Sequence, residues 1–547
     1  MCGIFALLNA PKEGIPVDLI AKQFQQGQGR GPEASNLSQP YLQTTFGFHR
    51  LAINGLNPES NQPLEIDHVV LICNGEIYNY KQLYDCMGMT NGGKTQSDCE
   101  VILHLYLRYG IEYTLQALDG VFAFVLLDYR ALEARLFCAR DPFGVRPLYL
   151  LASGPMWGLA SELKMLTGIQ QYSNGCVAHF PPGTYSEWTY AELAMSSWSL
   201  KTPTPIRYHT LGFVRQGFQE VEWFDCMGDV YPELARRFRD AVYKRCCTTE
   251  RPIACLLSGG LDSSLVAAIV CEYHQKHGLK PVETYSIGLH GSTDLAYARQ
   301  VAEKLGTQHH EVIVTEQDFI DAVPHVIRAI ESYDTTTVRA SLGNWLLGKY
   351  IRKHSEAKVI FNGDGSDELA GGYLYMAFAP DALEFDRECR RLLDHIHAFD
   401  VLRSDKCISS HGLEPRTPFL DRGWVQYYLS LSPFTRFPGQ DIMEKELIRR
   451  AFDYDDLLPN EVIWRRKEAF SDGVTGTTRS LFQILQDHAA TLQLPITTAV
   501  PVATTAEQRW YRSLFDTYYP DAGNVVPYFW MPKYVDAQDA SARTWVV

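Results

Sequence analysis

The sequence predicts an α/β protein of more than one domain, and three observations support this fold class. A chain of 547 residues is too long for one ordinary hydrophobic core. Residues 1–195 contain short β-like runs and few helices, whereas residues 229–547 alternate strands with helices and become mainly helical beyond residue 380. Between them, over 196–228, the periodicity fades and Pro203 and Pro205 occur, which predicts a linker.

The first region contains five predicted strands and one clear helix. The helix is expected to begin at Ser97, because Ser97 and Glu100 have the spacing of a capping box and apolar residues follow at helical intervals. Apolar runs predict the strands Ile4–Leu8, Thr45–Ile53, Val69–Cys73, Val121–Leu127 and Leu136–Arg140.

The second region has the pattern of a doubly wound parallel sheet, with helices on both faces and its ligand at the carboxyl ends of the strands. Glycines end both of the clearest helices, at positions 278 and 306. The predicted strands are 253–257, 282–289, 310–315 and 358–362, and the two clearest helices are Ser263–His277 and Asp294–Leu305.

Composition limits the partners and the compartment. The formal net charge of -14 argues against nucleic acid as a general partner, because no basic excess is available to meet phosphates. The 13 cysteines are scattered without CxxC pairs, which predicts reduced thiols and a cytoplasmic location. No apolar run reaches the roughly 20 residues of a membrane span, and the first residues lack the features of a signal peptide.

The opening MCGIF allows two interpretations of Cys2. If Met1 is removed, Cys2 carries both a thiol and a free α-amine, whose reference pKa values of about 8.5 and about 8 allow proton transfer near neutral pH. An N-terminal amine can serve as the base for its own side chain. Alternatively, Cys2 is a small apolar residue at the start of a buried strand. Taken alone, the segment favours the second interpretation, and the later motifs reverse that preference.

The segment SGGLDSS at 258–264 is the most specific motif. It follows an apolar strand and opens a helix, so backbone N–H groups and the helix dipole converge on one anion site. Two glycines permit close approach of the backbone, the serines add donors, and Asp262 suits Mg²⁺. This is the pattern of the pyrophosphate loop of ATP pyrophosphatases, and the alternative is a Gly/Ser-rich helix start. The predicted ATP-binding residues here are Ser258, Gly259, Gly260, Asp262, Ser263 and Ser264.

A second motif, the acidic segment NGDGSDE at 362–368, also follows a predicted strand. Its carboxylates Asp364, Asp367 and Glu368 suit metal coordination and a catalytic base near the same crevice. The alternative is an acidic surface turn.

Together these motifs resemble the glutamine-dependent asparagine synthetase family over essentially the whole chain, more faintly between 476 and 529. The resemblance implies an αββα sandwich of the N-terminal-nucleophile type, a class II glutamine amidotransferase, followed by an ATP-dependent synthetase. It implies glutamine, aspartate and ATP as substrates, Mg²⁺, ammonia as an intermediate, and a homodimer. The matching segments are CGIF (2–5), FHRLAI (48–53), CNGEIYN (73–79), SDCEVI (97–102), LDGVFAF (118–124), RDPFGVRPLY (140–149), YDTTTVRAS (333–341), NGDGSDELAGGY (362–373), EPRTPFLD (414–421), WRRKEAFSDGVT (464–475) and WMPKYVDAQDASAR (530–543).

The resemblance also implies roles for single residues. For glutamine hydrolysis these are Cys2 as the nucleophile, Asn74 and the Gly75 amide as the oxyanion hole, Arg50 as the α-carboxylate ligand, and Asp98 with Glu76 as the α-amine ligands. For synthesis they are Leu256 and Ile287 at adenine, Asn362 and Gly363 at the ribose or phosphates, Asp262 and Asp367 at the metal, Thr336, Thr337 and Arg339 at aspartate and phosphate, Asp364 as the base, and Lys467 at the phosphates.

Four residues depart from the family pattern. Gly29 and Glu33 stand in QGRGPE where RHRGPD is usual, which affects a loop of the glutaminase site. Asn362 replaces a serine beside the nucleotide. Asp364 replaces a glutamate associated with deprotonation of ammonia, and it is one methylene shorter.

Other functions remain as alternatives. A related synthetase that amidates a different carboxylate, in a peptide or a secondary metabolite, is the main one. Amidotransferases of the phosphosugar-isomerase and phosphoribosyltransferase types lack a pyrophosphate loop at this place, and β-lactam synthetase lacks the nucleophilic cysteine. A non-enzymatic scaffold is expected to have lost Cys2, Asp262 or Lys467, and all three are present.

Overall fold

The structure is a computed structural model that describes residues 1–10, 12–191, 196–212, 227–475, 479–494 and 498–541. Within these ranges, no helix has the length and apolar character needed to cross a membrane. The twelve cysteines that it describes are all free thiols.

Among the described residues up to 212, the first region and the start of the stretch that follows it contain thirteen strands and four α-helices. The strands are β1 (Gly3–Leu8), β2 (Ala34–Tyr41), β3 (Thr44–Arg50), β4 (Leu64–Ile66), β5 (Val69–Ile77), β6 (Gly120–Asp128), β7 (Glu133–Arg140), β8 (Tyr149–Ser153), β9 (Met156–Ala160), β10 (Cys176–His179), β11 (Thr184–Ala191), β12 (Trp198–Leu200) and β13 (Ile206–Arg207). The helices are α1 (Val17–Gln25), α2 (Tyr80–Cys86), α3 (Glu100–Ala117) and α4 (Thr167–Ser173).

These strands form two antiparallel sheets. One has the order β10-β8-β9-β1-β3-β2, and the other has the order β12-β11-β7-β6-β5-β4 with β13 also paired to β11. Strands β12 and β13 therefore lie within the stretch 196–228 for which the sequence predicts a linker. Residues 213–226 of that stretch are outside the described residues, and the division into domains stays a prediction.

The two sheets pack face to face, with helices on their outer faces. Successive side chains of β1 point to opposite sides: Ile4 and Leu8 join the core between the sheets with Val125, while Phe5 packs with Phe24 of α1. On the outer face of the second sheet, β6 packs against α3 in the same way. Because β1 and β6 are buried on both faces, their sequences are continuous apolar runs. The predicted αββα sandwich is confirmed.

Two predicted boundaries are wrong for reasons that the hydrogen bonds show, and the strand predicted over Val69–Cys73 also continues to Ile77. The strand predicted over Thr45–Ile53 ends at Arg50, because the backbone beyond it bonds to side chains: the Ala52 N–H donates to Glu33 and its C=O accepts from Arg251. The capping box does not form. The helix begins at Glu100, whose carboxylate accepts from the N–H groups of Lys94 and Thr95 instead.

The second region contains one parallel sheet and many helices. Its strands are β14 (Ile253–Leu256), β15 (Glu283–Leu289), β16 (Gln308–Val314), β17 (Val359–Phe361) and β18 (Glu414–Arg416). Its helices are α5 (Met227–Cys246), α6 (Leu261–Lys276), α7 (Thr293–Leu305), α8 (Glu316–Ile330), α9 (Thr335–His354), α10 (Ser366–Ala370), α11 (Ala382–His395), α12 (Asp400–Ser409), α13 (Arg422–Ser430), α14 (Pro433–Arg436), α15 (Glu446–Asp453), α16 (Asn460–Ile463), α17 (Phe470–Gly473), α18 (Leu481–Ala490) and α19 (Ala506–Tyr518).

The parallel sheet has the order β16-β15-β14-β17-β18 and is covered on both faces. Cys255 and Phe361 pack with α5, α6 and α7 on one face, while Leu256 and Ile287 pack with α8 and α9 on the other. The chain runs outward from β14 in one direction and then returns to add β17 and β18 on the other side. The predicted doubly wound sheet and the helical C-terminal part are both confirmed, and the crevice is expected between β14 and β17.

Candidate active sites

A cavity of about 290 Å³ lies where β14 and β17 end. This is the point at which the strand order reverses, where open α/β sheets bind ligands. Its lining includes five residues to which the sequence gives roles in catalysis, aspartate binding or metal binding: Thr336, Arg339, Asp364, Asp367 and Lys467. It also includes eight of the predicted ATP-binding residues: Leu256, Ser258, Gly260, Asp262, Ser263, Ile287, Asn362 and Gly363.

The glycine–serine loop has the geometry of an anion site. Gly259 has φ of +74°, and a Cβ there would lie 2.5 Å from the Ala298 backbone nitrogen, so only glycine fits. The Ser258 N–H donates to Ser263 Oγ at 3.1 Å. Helix α6 begins with Gly260 at its N-cap and without a side-chain cap. Its first N–H groups are therefore available to a phosphate.

Two carboxylates and two lysines meet beside this loop. Lys445 Nζ donates to Asp262 Oδ2 at 2.6 Å and also pairs with Asp367. Lys467 Nζ lies 2.7 Å from Asp367 Oδ2. Burial opposes ionisation of Asp367, but Lys445 and Lys467 outweigh it and hold the pKa of Asp367 well below its ordinary value. Carboxylates that converge on one cation in this way suit a Mg²⁺ that also binds phosphates.

Asp364 faces the same cavity from the β17 side. Its Oδ1 accepts from Arg403 Nη2 at 3.1 Å, and its Oδ2 has no hydrogen-bond partner within the described ranges. Arg403 is itself held by Asp400. The Asn362 side chain is engaged by neighbours, because its Nδ2 donates to Ser404 and its Oδ1 accepts from the Asp364 N–H. Asp364 thus has one oxygen fixed and one oxygen available.

The start of α9 also contributes to the cavity. Thr336 lines it, and its Oγ1 has no hydrogen-bond partner among the residues described. Thr337 instead donates its N–H and hydroxyl to Asp334 at 2.9 and 2.7 Å, so it supports the helix start. Arg339 is already paired, with Glu507 on one edge and Asp539 on the other. Ser264, predicted in the phosphate loop, is fully buried beneath it.

The candidate nucleophile Cys2 lies at the junction of the two regions. It is half-buried, and its Sγ lies 3.7 Å from the Leu51 carbonyl. Burial raises the pKa of the Cys2 thiol. The structure describes the chain with Met1 in place. The α-amine is therefore that of Met1, 3.9 Å from Glu414 Oε2, and burial lowers the pKa of this amine.

The predicted oxyanion residues lie on β5. Asn74 Nδ2 donates to Ser161 Oγ at 3.5 Å, and the same hydroxyl accepts from the N–H of Ile4, two residues from Cys2. Gly75 has no room for a side chain, because a Cβ would lie 2.6 Å from the Val121 carbonyl. Asn74 and the start of β1 are thus held together by one serine.

Arg50, predicted to bind the α-carboxylate of glutamine, is engaged by the loop that follows it. It donates to the carbonyls of Gly55 and Asn57 and to Asn61 Oδ1 at 2.7 Å. These bonds hold its guanidinium among backbone carbonyls, so a substrate carboxylate would have to share or replace them.

Glu76 and Asp98 form a buried acidic pair. Burial, with a smaller contribution from Glu414, raises the pKa of Asp98 to about 6. The pKa of Glu76 is raised well above its ordinary value by burial and by Asp98. Glu76 Oε2 lies 3.4 Å from Arg416 Nη2 on β18. The pocket predicted for glutamine hydrolysis is therefore in direct contact with the parallel sheet.

The other departures also lie at this contact. Gly29 faces the Ser410 carbonyl, which would be 3.3 Å from a Cβ at that position. Glu33 binds both the Ala52 N–H at 2.8 Å and Arg251 at 3.0 Å. The longer glutamate thus bridges the glutaminase loop and the second region.

Sequence reasoning missed several residues of these sites. Lys445 and Arg403 contact predicted site residues only through tertiary structure, and no local pattern marks them. Arg416 lies in the matching segment 414–421, but no role was predicted for it. Trp530, Ala540 and Ser541 line the cavity. The matching segment 530–543 was their only signal, and its last two residues lie outside the described ranges.

Comparison with known proteins identifies the family. Residues 233–383 and 377–546 match the family model described as asparagine synthase, and residues 1–180 match the model of a glutamine amidotransferase domain. The chain belongs to the asparagine synthase family. Among curated proteins, this family member is 40% identical to the glutamine-hydrolysing asparagine synthetases of Gallus gallus and Cricetulus griseus and 39% identical to that of Homo sapiens. Each alignment covers 100% of this chain and 98% of the relative.

Proposed function

We propose that this chain is a ligase that makes asparagine from aspartate, with glutamine as the nitrogen donor and Mg-ATP as the activating substrate. Family membership and identity over the full length support glutamine-dependent asparagine synthesis. One structural observation carries the chemistry: an anion-binding loop, paired carboxylates and two lysines surround one cavity, and a cysteine pocket adjoins the same sheet.

The first half-reaction takes place at Cys2. Once Met1 is removed, the new α-amine accepts the thiol proton, and the thiolate attacks the side-chain amide carbon of glutamine. Asn74 Nδ2 and the Gly75 N–H donate to the oxyanion that develops. The α-ammonium of Cys2 gives this proton to the amide nitrogen, which leaves as ammonia, and water hydrolyses the thioester to glutamate and frees the thiol. The ionised carboxylate of Asp98 binds the α-ammonium of glutamine during these steps.

The second half-reaction takes place in the cavity. The loop N–H groups and Lys467 bind the phosphates, and Asp262 and Asp367 would hold a Mg²⁺ bound with ATP, which would neutralise phosphate charge. The β-carboxylate of aspartate attacks the α-phosphorus, and pyrophosphate leaves. Ammonia then attacks the acyl carbon of β-aspartyl-AMP, AMP leaves, and Asp364 accepts the proton through its available oxygen.

The two half-reactions are joined by ammonia, which would be protonated in bulk water. We expect it to cross the contact between the two regions, which is buried and closed by ion pairs such as Arg30–Asp405 at 2.7 Å. A homodimer and a cytoplasmic location, which the sequence suggests, also stay predictions.

Isotope transfer tests this function. Glutamine labelled with ¹⁵N at the amide, aspartate and Mg-ATP should give asparagine labelled at its side chain, with AMP and pyrophosphate. Unlabelled asparagine would contradict the use of glutamine nitrogen. Pyrophosphate release that ignores aspartate and responds to another carboxylate would favour the alternative family activity, and no release would favour a non-enzymatic scaffold.

A further inference from the structure

The C-terminal segment, defined here as Trp530–Ser541, returns to the synthetase cavity after α19. Trp530, Ala540 and Ser541 contribute to the cavity lining, on the side of Thr336 and Arg339. The phosphate loop contributes other residues to the same lining. The segment therefore borders the space that remains for the amino-acid substrate once ATP occupies the loop.

One anchor ties the segment to the start of α9. The Trp530 N–H donates to Asp334 Oδ1 at 2.8 Å, and the other oxygen of the same carboxylate caps α9 through Thr337. The Trp530 ring also lies 5.3 Å from that of Tyr373, whose hydroxyl bonds to Glu368. A single buried carboxylate thus fixes both the segment and the helix start that carries Thr336.

A second anchor ties the segment to Arg339. Asp539 accepts from Nη1 and Nη2 of Arg339 at 2.7 and 2.9 Å, and its Oδ1 also accepts from the Ser541 N–H. Glu507 accepts from Nε and Nη2 on the other edge of the guanidinium at 2.8 and 2.6 Å. Both partners of Arg339 are therefore carboxylates of this chain, in bidentate geometry.

This arrangement gives Arg339 a role in holding the C-terminal segment. Four of its five N–H groups donate to Glu507 and Asp539, so no edge of the guanidinium is left for bidentate binding of a third carboxylate. Residue Arg339 is 3% exposed, and it lines the cavity together with Ala540 and Ser541. The pair with Asp539 therefore holds these two residues against the cavity.

We propose that the C-terminal segment is the wall that positions the amino-acid substrate, and that Asp539 is the positioning residue that fixes this wall through Arg339. The inference rests on the proposed function of the cavity and extends it to residues beyond the ATP site. The proposal predicts that loss of the Asp539 carboxylate raises the KM for aspartate more than the KM for ATP. The rate of glutamine hydrolysis should not change.

The test compares Asp539→Asn with Lys533→Ala. Lys533 belongs to the same segment, but its ion pair with Glu384, at 3.2 Å, lies on the outer side and is half-exposed. Pyrophosphate release driven by ammonia is measured against aspartate and against Mg-ATP, and glutaminase activity is measured separately. Asp539→Asn should raise the KM for aspartate about tenfold or more, because a displacement of about 1 Å at a positioned substrate can cost about a hundredfold in rate. Its KM for Mg-ATP should stay within about twofold of the wild-type value.

Two further variants keep the proposal falsifiable if Asp539→Asn unfolds the region. Asp539→Glu retains the carboxylate and should restore most of the aspartate affinity. Ala540→Leu keeps the ion pair and adds bulk at the lining, so it should also raise the KM for aspartate. Lys533→Ala should match wild type in every assay.

Other results would overturn the proposal. An unchanged KM for aspartate in Asp539→Asn would show that the segment is not a positioning wall. A lowered KM would show that Asp539 competes with the substrate carboxylate for Arg339. If wild type itself releases no pyrophosphate with aspartate, the proposed function fails and this inference fails with it. Release by wild type with no change in the variants defeats this inference alone.

Discussion

The two candidate sites each contain a pair of carboxylates, and the pairs differ in charge balance. In the glutaminase pocket, burial raises the pKa of Asp98 to about 6 and that of Glu76 well above its ordinary value, although Arg416 lies 3.4 Å from Glu76. In the synthetase cavity, Lys445 and Lys467 overcome burial and keep the pKa of Asp367 low.

This difference indicates what each pair is prepared to bind. The glutaminase pair lacks enough positive charge of its own, so a cationic ligand such as the α-ammonium of glutamine would stabilise its ionised form. The synthetase pair is already neutralised by lysines that can also bind phosphate oxygens. On the proposed function, Mg-ATP would enter by an exchange of partners, in which the carboxylates would hold the metal and the lysines would bind the phosphates.

Replacement of the nucleophile should separate the two sites completely. Cys2→Ala removes the thiol that is proposed to attack glutamine. It does not change any residue that lines the synthetase cavity. Glutamine-dependent synthesis should fall to background, while synthesis from added ammonium should stay within about twofold of wild type. Asparagine formation with each nitrogen source is the measurement.

The matched control for this variant is Cys176→Ala, at an exposed cysteine of the same region, which should leave both activities intact. Equal loss of both activities in Cys2→Ala would contradict the division of labour between the sites.

Removal of a lysine from the synthetase pair should have the next largest effect. Lys467→Met removes a positive charge that lies 2.7 Å from Asp367. Because this charge is proposed to bind the phosphates in the transition state, its loss should lower the rate of pyrophosphate release by about 10²–10³-fold. Glutaminase activity should persist, because no contact described for Lys467 reaches the Cys2 pocket.

Lys467→Arg serves as the control because it retains the charge, and it should recover part of the loss. If Lys467→Met and Lys467→Arg are equally active and close to wild type, the lysines only balance buried carboxylates and have no role in the reaction.

The sequence was a good guide to the fold where the information is local. The order of strand, glycines and helix predicted the loop at 258–264. Because this loop and the motif at 362–368 each follow an apolar strand, Asp262 and Asp367 were expected at one crevice. Continuous apolar runs predicted the buried strands β1 and β6. These features depend on neighbours within a few residues, and the sheet topology then brings them together.

Long-range partners could not be predicted in this way. The contact of Glu76 with Arg416 joins residues that lie 340 positions apart, and Arg339 is paired with carboxylates more than 160 positions away. The capping box failed for a related reason, because the Glu100 carboxylate accepts from the N–H groups of Lys94 and Thr95 in the preceding loop rather than from the N–H of Ser97. Which charges pair in the interior is decided by packing, and packing also decides whether Arg339 is free.

The smallest expected effect concerns pH and the glutaminase pair. Asp98 has a folded pKa of about 6, so it gains a proton as the pH falls through 6 and can no longer balance the α-ammonium of glutamine. With the ionised fraction changing from about nine-tenths at pH 7 to about one-tenth at pH 5, glutamine affinity should fall about tenfold over that interval. Calorimetric titration of glutamine into Cys2→Ala protein measures this affinity without interference from turnover.

The control is Asp98→Asn in the same Cys2→Ala background, which should bind glutamine weakly at both pH values and lose the pH dependence. A wild-type-like pH dependence in Asp98→Asn would assign the titration to another group, and a flat profile in the Cys2→Ala protein would show that Asp98 does not bind the α-ammonium in its ionised form.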